Sequence, residues 1–219
     1  MPQGGGKGQT AMQDVIGAGR APQSQIEPLR VIACGAIARE IIAIKQMNGL
    51  DHIDLQCLPA IWHVTPNKIV PALREKIAEA RAEGFNRIYI GYAECGTQGE
   101  LDKLCAEEGI ERVEGPHCYA FFTGNEKFLA KCEEEFTAFY LTDLITRQFE
   151  AFVIEPLKLD KHPELRDMVF GNYTKIIYLA QTEDKALQEK AKWAADYLKL
   201  DYEYRFTGYG DLTKALLHA

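Results

Sequence analysis

The sequence predicts an α/β fold on a mostly parallel sheet, with three strand-helix-strand repeats and a helical insertion before the third. Three short apolar runs, Arg30-Val31-Ile32-Ala33-Cys34, Arg87-Ile88-Tyr89-Ile90-Gly91-Tyr92 and Lys175-Ile176-Ile177-Tyr178-Leu179-Ala180, each precede a helix-length segment. Each of those helical segments is followed by another strand-like run. Parallel strands require such crossovers, so the alternation favours parallel pairing. With 47% hydrophobic residues in 219, the chain can bury a sizeable core.

Residues 1–28 are rich in Gly, Gln and Ala without sustained periodicity and read as a flexible N-terminal arm; the α/β domain is expected over 29–219. Within the arm, Gly4-Gly5-Gly6-Lys7-Gly8-Gln9-Thr10 lacks a Ser or Thr directly after the lysine and a preceding strand, so it is not read as a phosphate loop. From Arg30 the first strand runs into Gly35 and a helix to about Asn48, then a second strand from Leu55 to about Ile61. Ile69, Leu73, Ile77 and Ala80 recur at amphipathic spacing and predict a helix over Lys68 to Glu83 that joins the first two units. The second unit continues with a helix from Gly99 to Glu108 and a short strand around Arg112-Val113. Segments over 126–170 are read as a helical insertion broken at Pro156 and Pro163. The third unit ends in a long helix to Lys199 and a strand from Tyr202 to Phe206.

A net charge of −7 with dispersed basic residues argues against nucleic acid as a partner. No apolar stretch reaches the about 18 residues of a membrane span, and no secretory pattern opens the chain, so the expected location is cytoplasmic. In that setting the six cysteines are expected as free thiols or metal thiolates rather than disulfides.

In open parallel sheets, ligands bind beyond the carboxyl ends of the strands. Those ends carry Cys34-Gly35-Ala36, Trp62-His63-Val64-Thr65-Pro66-Asn67, Glu94-Cys95-Gly96-Thr97-Gln98-Gly99 and Gly115-Pro116-His117-Cys118-Tyr119. Cys34 and Cys95 each precede a glycine at a predicted helix start, where unpaired N–H groups favour thiolate at neutral pH. Cys34, Cys95 and Cys118, with His117 and His63, therefore form a candidate metal site, for zinc or for an iron–sulfur cluster. Glu94, beside Cys95, is the candidate catalytic acid or base. Cys57, Cys105 and Cys132 fall within a strand and two helices and are read as structural, buried and remote from the other three. Thr142 and Asp143 are read as helix caps, and Gly208-Tyr209-Gly210-Asp211 as part of the same rim or a tight turn.

Val31-Ile32-Ala33-Cys34-Gly35-Ala36, Leu58-Pro59 with His63 and Pro66, Cys95-Gly96-Thr97, Gly115-Pro116-His117-Cys118-Tyr119 and Leu141-Thr142-Asp143 together resemble the family known as domain of unknown function 1638. The resemblance covers Leu29 to the C-terminus; Trp62 and Glu94 depart from the family pattern. It implies an association with corrinoid-dependent methyltransferase systems, hence a corrinoid protein as partner and methylated amines or related one-carbon donors as substrates. By analogy of fold, the site is also similar to quinolinate synthase and the diphthamide-forming enzymes, where three α/β repeats each offer a cysteine to one iron–sulfur cluster. Here the third unit offers Gln181 instead.

Two functions follow as expectations. One is a metal-dependent transferase or lyase acting on a small molecule in methyl or one-carbon metabolism. The other is a non-catalytic module that binds a cofactor or partner in a corrinoid methyl-transfer system and uses its cysteines for packing.

Overall fold

The structure, a computed structural model, describes residues 26–219; the proposed arm lies outside the described residues up to position 25. Among the described residues, seven strands form two parallel sheets. The first has the order β2-β1-β3-β4, from β1 (Leu29–Cys34), β2 (Ile53–Leu58), β3 (Arg87–Gly91) and β4 (Glu111–Arg112). The second has the order β5-β6-β7, from β5 (Ala138–Leu141), β6 (Lys175–Ala180) and β7 (Asp201–Phe206).

β1 is central in the first sheet, and its near-continuous apolar sequence reflects burial on both faces. Leu29, Val31 and Ala33 point to one side, against Ile37 and, on α1 (Ala38–Asn48), Ile41 and Ile44. Phe121 and Phe122 of α4 (Cys118–Thr123) and Leu212 and Leu216 of α9 (Asp211–His218) close that layer. Ile32, Ile88 and Ile90 point to the other side, against the predicted stripe Ile69, Leu73, Ile77 and Ala80 on α2 (Ile69–Ala82) and Leu101 and Leu104 on α3 (Glu100–Glu108).

Each predicted repeat is present as a strand-helix-strand unit, but the third stands in a separate sheet with β5 as its neighbour. β5 is the correction to the insertion, which is not wholly helical. Its four apolar residues Ala138-Phe139-Tyr140-Leu141 are too few to show a period. Around β5 the insertion forms α5 (Asn125–Lys131), α6 (Asp143–Arg147), a wide π turn at Glu150–Ile154 and α7 (Leu165–Phe170). β2 also ends at Leu58 rather than near Ile61, because Pro59 has no N–H for a ladder and the chain turns into a 3₁₀ helix over Ala60–Val64.

Ile176, Tyr178 and Ala180 pack on α8 (Lys185–Leu198) through Leu187, Ala191, Ala194 and Leu198. The opposite face, Ile177 and Leu179, is covered by Tyr119 from α4 and Tyr140. After β7 the chain crosses back through Gly208-Tyr209-Gly210, so α9 completes the first sheet's core and not the second's. Among the described residues no helix is long and apolar enough to cross a membrane.

Candidate functional site

Strand register brings the first sheet's carboxyl ends together. Ala33 pairs with Cys57 on one side and Gly91 on the other. A Cβ at Gly91 would stand 2.5 Å from that of Ala33, so glycine permits the close approach that sets Cys34 beside Tyr92. Past β3, Glu94 N–H donates to the Gly115 carbonyl at 2.9 Å and Cys95 N–H to the Pro116 carbonyl at 2.8 Å. These two bonds clamp the Cys95 loop to the loop that carries His117 and Cys118.

Cys34, Cys95 and Cys118 consequently share one basin, close enough that a charge on one is felt by the others. All three line the apolar cluster beneath them. Burial works against the thiolate expectation. Burial raises the Cys34 thiol, against the Ala36 N–H that donates to Sγ at 3.4 Å and the neighbouring Tyr92 hydroxyl. Burial, with the Cys34 charge second, pushes Cys95 up to about 12, and burial raises Cys118 well above the ordinary thiol range. The helix dipole loses because only a 3₁₀ turn follows Cys34, while Cys95 is separated from α3 by the turn over 96–99.

The two imidazoles flank Tyr119. His117 lies 5.0 Å from the Tyr119 ring and 5.0 Å from Phe128, and His63 lies 6.4 Å from Tyr119, which stacks on Tyr140 at 5.6 Å. Burial lowers the pKa of both, for His117 with the His63 charge as second cause, so both favour the neutral form that binds metals. His117 Nδ1 is buried without a hydrogen-bond partner. Among the described residues, no group of three or more His, Cys, Asp or Glu side chains is placed so that it could hold a metal ion.

Glu94 is engaged within its own loop. Its carboxylate accepts from Gly96 N–H at 2.8 Å, Thr97 Oγ1 at 2.8 Å and Gly99 N–H at 3.1 Å. Burial opposes its ionisation, but the donors at Gly99, Thr97 and Gly96 outweigh it and hold the carboxyl below its ordinary value. That network fixes the backbone at Cys95, which has a left-handed φ of 52°.

Cys105, on α3, is buried as expected. The other two cysteines read as structural require correction: Cys57 and Cys132 are exposed. Cys57 also lies near Cys34, whose charge adds to burial in raising its thiol, because a strand neighbour of Ala33 is carried to the same edge.

Sequence reading missed a polar centre at the second sheet's carboxyl edge. Asp143, 1% exposed, accepts from Tyr178 Oη at 2.7 Å, Gln181 N–H at 3.0 Å, Thr182 N–H at 3.1 Å and Thr182 Oγ1 at 2.5 Å. Gln181 Oε1 accepts in return from Asp143 N–H at 2.8 Å. The third unit's strand end is thus closed by an amide and a carboxylate. Nearby Glu40 on α1 is 6% exposed with Oε2 unpartnered. A polar residue on the buried stripe of α1 was the available signal. A groove of about 1250 Å³ opens elsewhere, between the outer strands β4 and β7, and Cys34, Cys95 and Cys118 are not among its lining residues.

No curated protein and no solved structure matches the chain. The family described as "Protein of unknown function (DUF1638)" matches residues 57–216, from within β2 to within α9. That span contains Cys57, His63, Cys95, His117, Cys118 and Asp143 and is well over half of the sequence, so the chain belongs to the DUF1638 family.

Proposed function

We propose that this chain binds a soft metal ion, zinc, or an iron–sulfur cluster through Cys34, Cys95 and Cys118 with His117 or His63, and acts as a metal-dependent transferase or lyase on a small molecule. The observation that carries this reading is the convergence of three sulfurs from three separate strand ends beside two neutral imidazoles. Sulfur and imidazole are the donors that zinc and iron–sulfur clusters select. A bound cation supplies Lewis acidity and stabilises thiolates, reversing the burial that keeps the metal-free thiols protonated. Glu94 holds the Cys95 loop in place, and Tyr119 and Phe128 pack against the His117 ring. The resemblance to corrinoid-linked proteins directs the choice of substrate to methyl or one-carbon compounds in the cytoplasm, with a corrinoid protein as partner.

The test is metal content and visible absorbance after anaerobic purification, repeated with cobalt(II). Cys34→Ser, Cys95→Ser and Cys118→Ser are each expected to lose the metal and its thiolate charge-transfer band, with sulfur about 2.3 Å from zinc in the loaded protein. Cys132→Ser, on the exposed end of α5, is expected to keep both. Full metal content in all three variants would sink the reading. The alternative is then a non-catalytic cofactor- or partner-binding module, supported by the packing of the same three cysteines against the apolar core.

A further inference from the structure

β7 is an edge strand, and its sequence has a symmetry that its own sheet does not use. Asp201 N–H donates to the Thr174 carbonyl at 3.1 Å and Thr207 N–H to the Ala180 carbonyl at 2.9 Å, across the ladder with β6. Main-chain groups along a strand turn alternately to its two neighbours, so Glu203 and Arg205 also face β6. Tyr202, Tyr204 and Phe206 therefore turn their N–H and C=O groups outward, where no strand pairs among the described residues. Open space lies beside the carboxyl end of this edge, since Arg205, Phe206 and Thr207 line the groove. Such an edge is a template for another chain unless it is guarded. β2, the other edge strand of six residues, is guarded, because Lys45 Nζ donates to its outward Ile53 carbonyl. The side-chain hydrogen bonds of β7 run to Gln188, Lys175, Glu135 and within the strand, none to its outward main chain.

We propose that β7 pairs antiparallel with β7 of a second copy of this chain, in the register that sets Tyr204 opposite the partner's Tyr204. A two-fold axis normal to the sheet keeps each side chain on its own face, so the pairing must centre on a residue, and only outward-facing residues exchange hydrogen bonds. Tyr204 as centre meets both conditions along the whole strand. Tyr204 exchanges bonds with the partner's Tyr204, and Tyr202 with the partner's Phe206. Glu203 then stands opposite the partner's Arg205, so opposite charges meet on both sides of the axis. Centring on Tyr202 would instead bring Glu203 against the partner's Asp201. Tyr204 and Phe206, exposed in the single chain, gain cross-strand aromatic neighbours. The contact is isologous and closes at two subunits. It is independent of the metal-binding reading.

The full chain tests this without a substitution. Sedimentation of concentrated wild type is expected to give twice the mass of one chain. Hydrogen exchange at Tyr202, Tyr204 and Phe206 is expected to slow from dilute to concentrated protein, as their N–H groups become bonded. A monomer at the highest soluble concentration, or a dimer in which these amides exchange as in the dilute protein, overturns the proposal. Charge reversal then reads the register. Glu203→Arg and Arg205→Glu each set like charges across the pair and are expected to sediment as monomers, whereas an equal mixture of the two restores opposite charges and the dimer. Arg205 also pairs with Glu135 in its own subunit, so circular dichroism first checks that Arg205→Glu is folded. A mixture of two folded variants that stays monomeric overturns the register; if either variant does not fold, exchange at the wild-type amides decides.

Discussion

Asp143 shows how much one buried carboxylate can organise. Its two oxygens accept four hydrogen bonds and tie the end of β5 to the end of β6. Asn in its place turns one acceptor into an NH₂ that faces donors, so Asp143→Asn is expected to cost about 2–4 kcal/mol in urea unfolding. A loss below about 0.5 kcal/mol, within the range of ordinary surface changes, would show that the network relaxes around the amide. The sequence places Thr142 correctly as a cap, since its hydroxyl accepts from Ile145 N–H at 3.5 Å, but gives Asp143 the same local role. A cap is local and follows from neighbouring residues. The partners of Asp143 lie 35 to 39 positions away and carry no local signature.

At the scale of elements, α1 carries a conflict that governs its response to pH. Its inward stripe of Ile41 and Ile44 includes Glu40, whose pKa is raised by burial first and by the Asp143 charge, with its own backbone N–H, Arg147 and Arg39 opposing. A carboxyl raised in the fold contributes most below its unfolded value of about 4.3, and that contribution is lost as pH rises through the folded value. At neutral pH the group therefore works against the fold. Glu40→Gln is expected to raise stability by about 1 kcal/mol at pH 7, and the advantage should shrink to nothing near pH 4. Thermal melts across that range check the sign; a gain that persists undiminished at pH 4 would place the cause elsewhere. The amphipathic stripe on α2, by contrast, was legible residue by residue, because a 3.6-residue period over a long helix leaves little ambiguity.

For the molecule as a whole, the sequence identified three strand-helix-strand units and placed Cys34 and Cys95 at strand carboxyl ends. Both follow from local periodicity and from the chirality of parallel crossovers. The division into two sheets was not legible, since nothing in Lys175–Ala180 distinguishes pairing with β5 from pairing with β3. The state of the thiols was also hidden, because it depends on burial by residues from α4 and the Pro116 loop rather than on the glycine next to each cysteine. Cys57 was missorted for a related reason: its position in a strand suggested packing, while register carried it to the carboxyl end of the sheet, beside Ala33.

The return of α9 to the first sheet has a consequence for the order in which the chain becomes a folded object. Leu212 and Leu216 cover Val31 and Ala33, and Gly210 passes so close to α4 that a Cβ there would stand 2.2 Å from the Phe121 carbonyl. During vectorial synthesis β1, β2 and β3 emerge early, yet one side of their sheet is covered only in part, by α1 and α4, until α9 has been made. The nascent first half is then an adhesive intermediate that waits for the far end of its own sequence, and chaperone occupancy should persist through translation of the second sheet. Ribosome-bound chains halted before residue 208 are expected to be cleaved by protease within β1–β3 and to aggregate on release, whereas supplying residues 208–219 in trans should restore protection. Equal protease resistance with and without that segment would show that the first sheet closes alone.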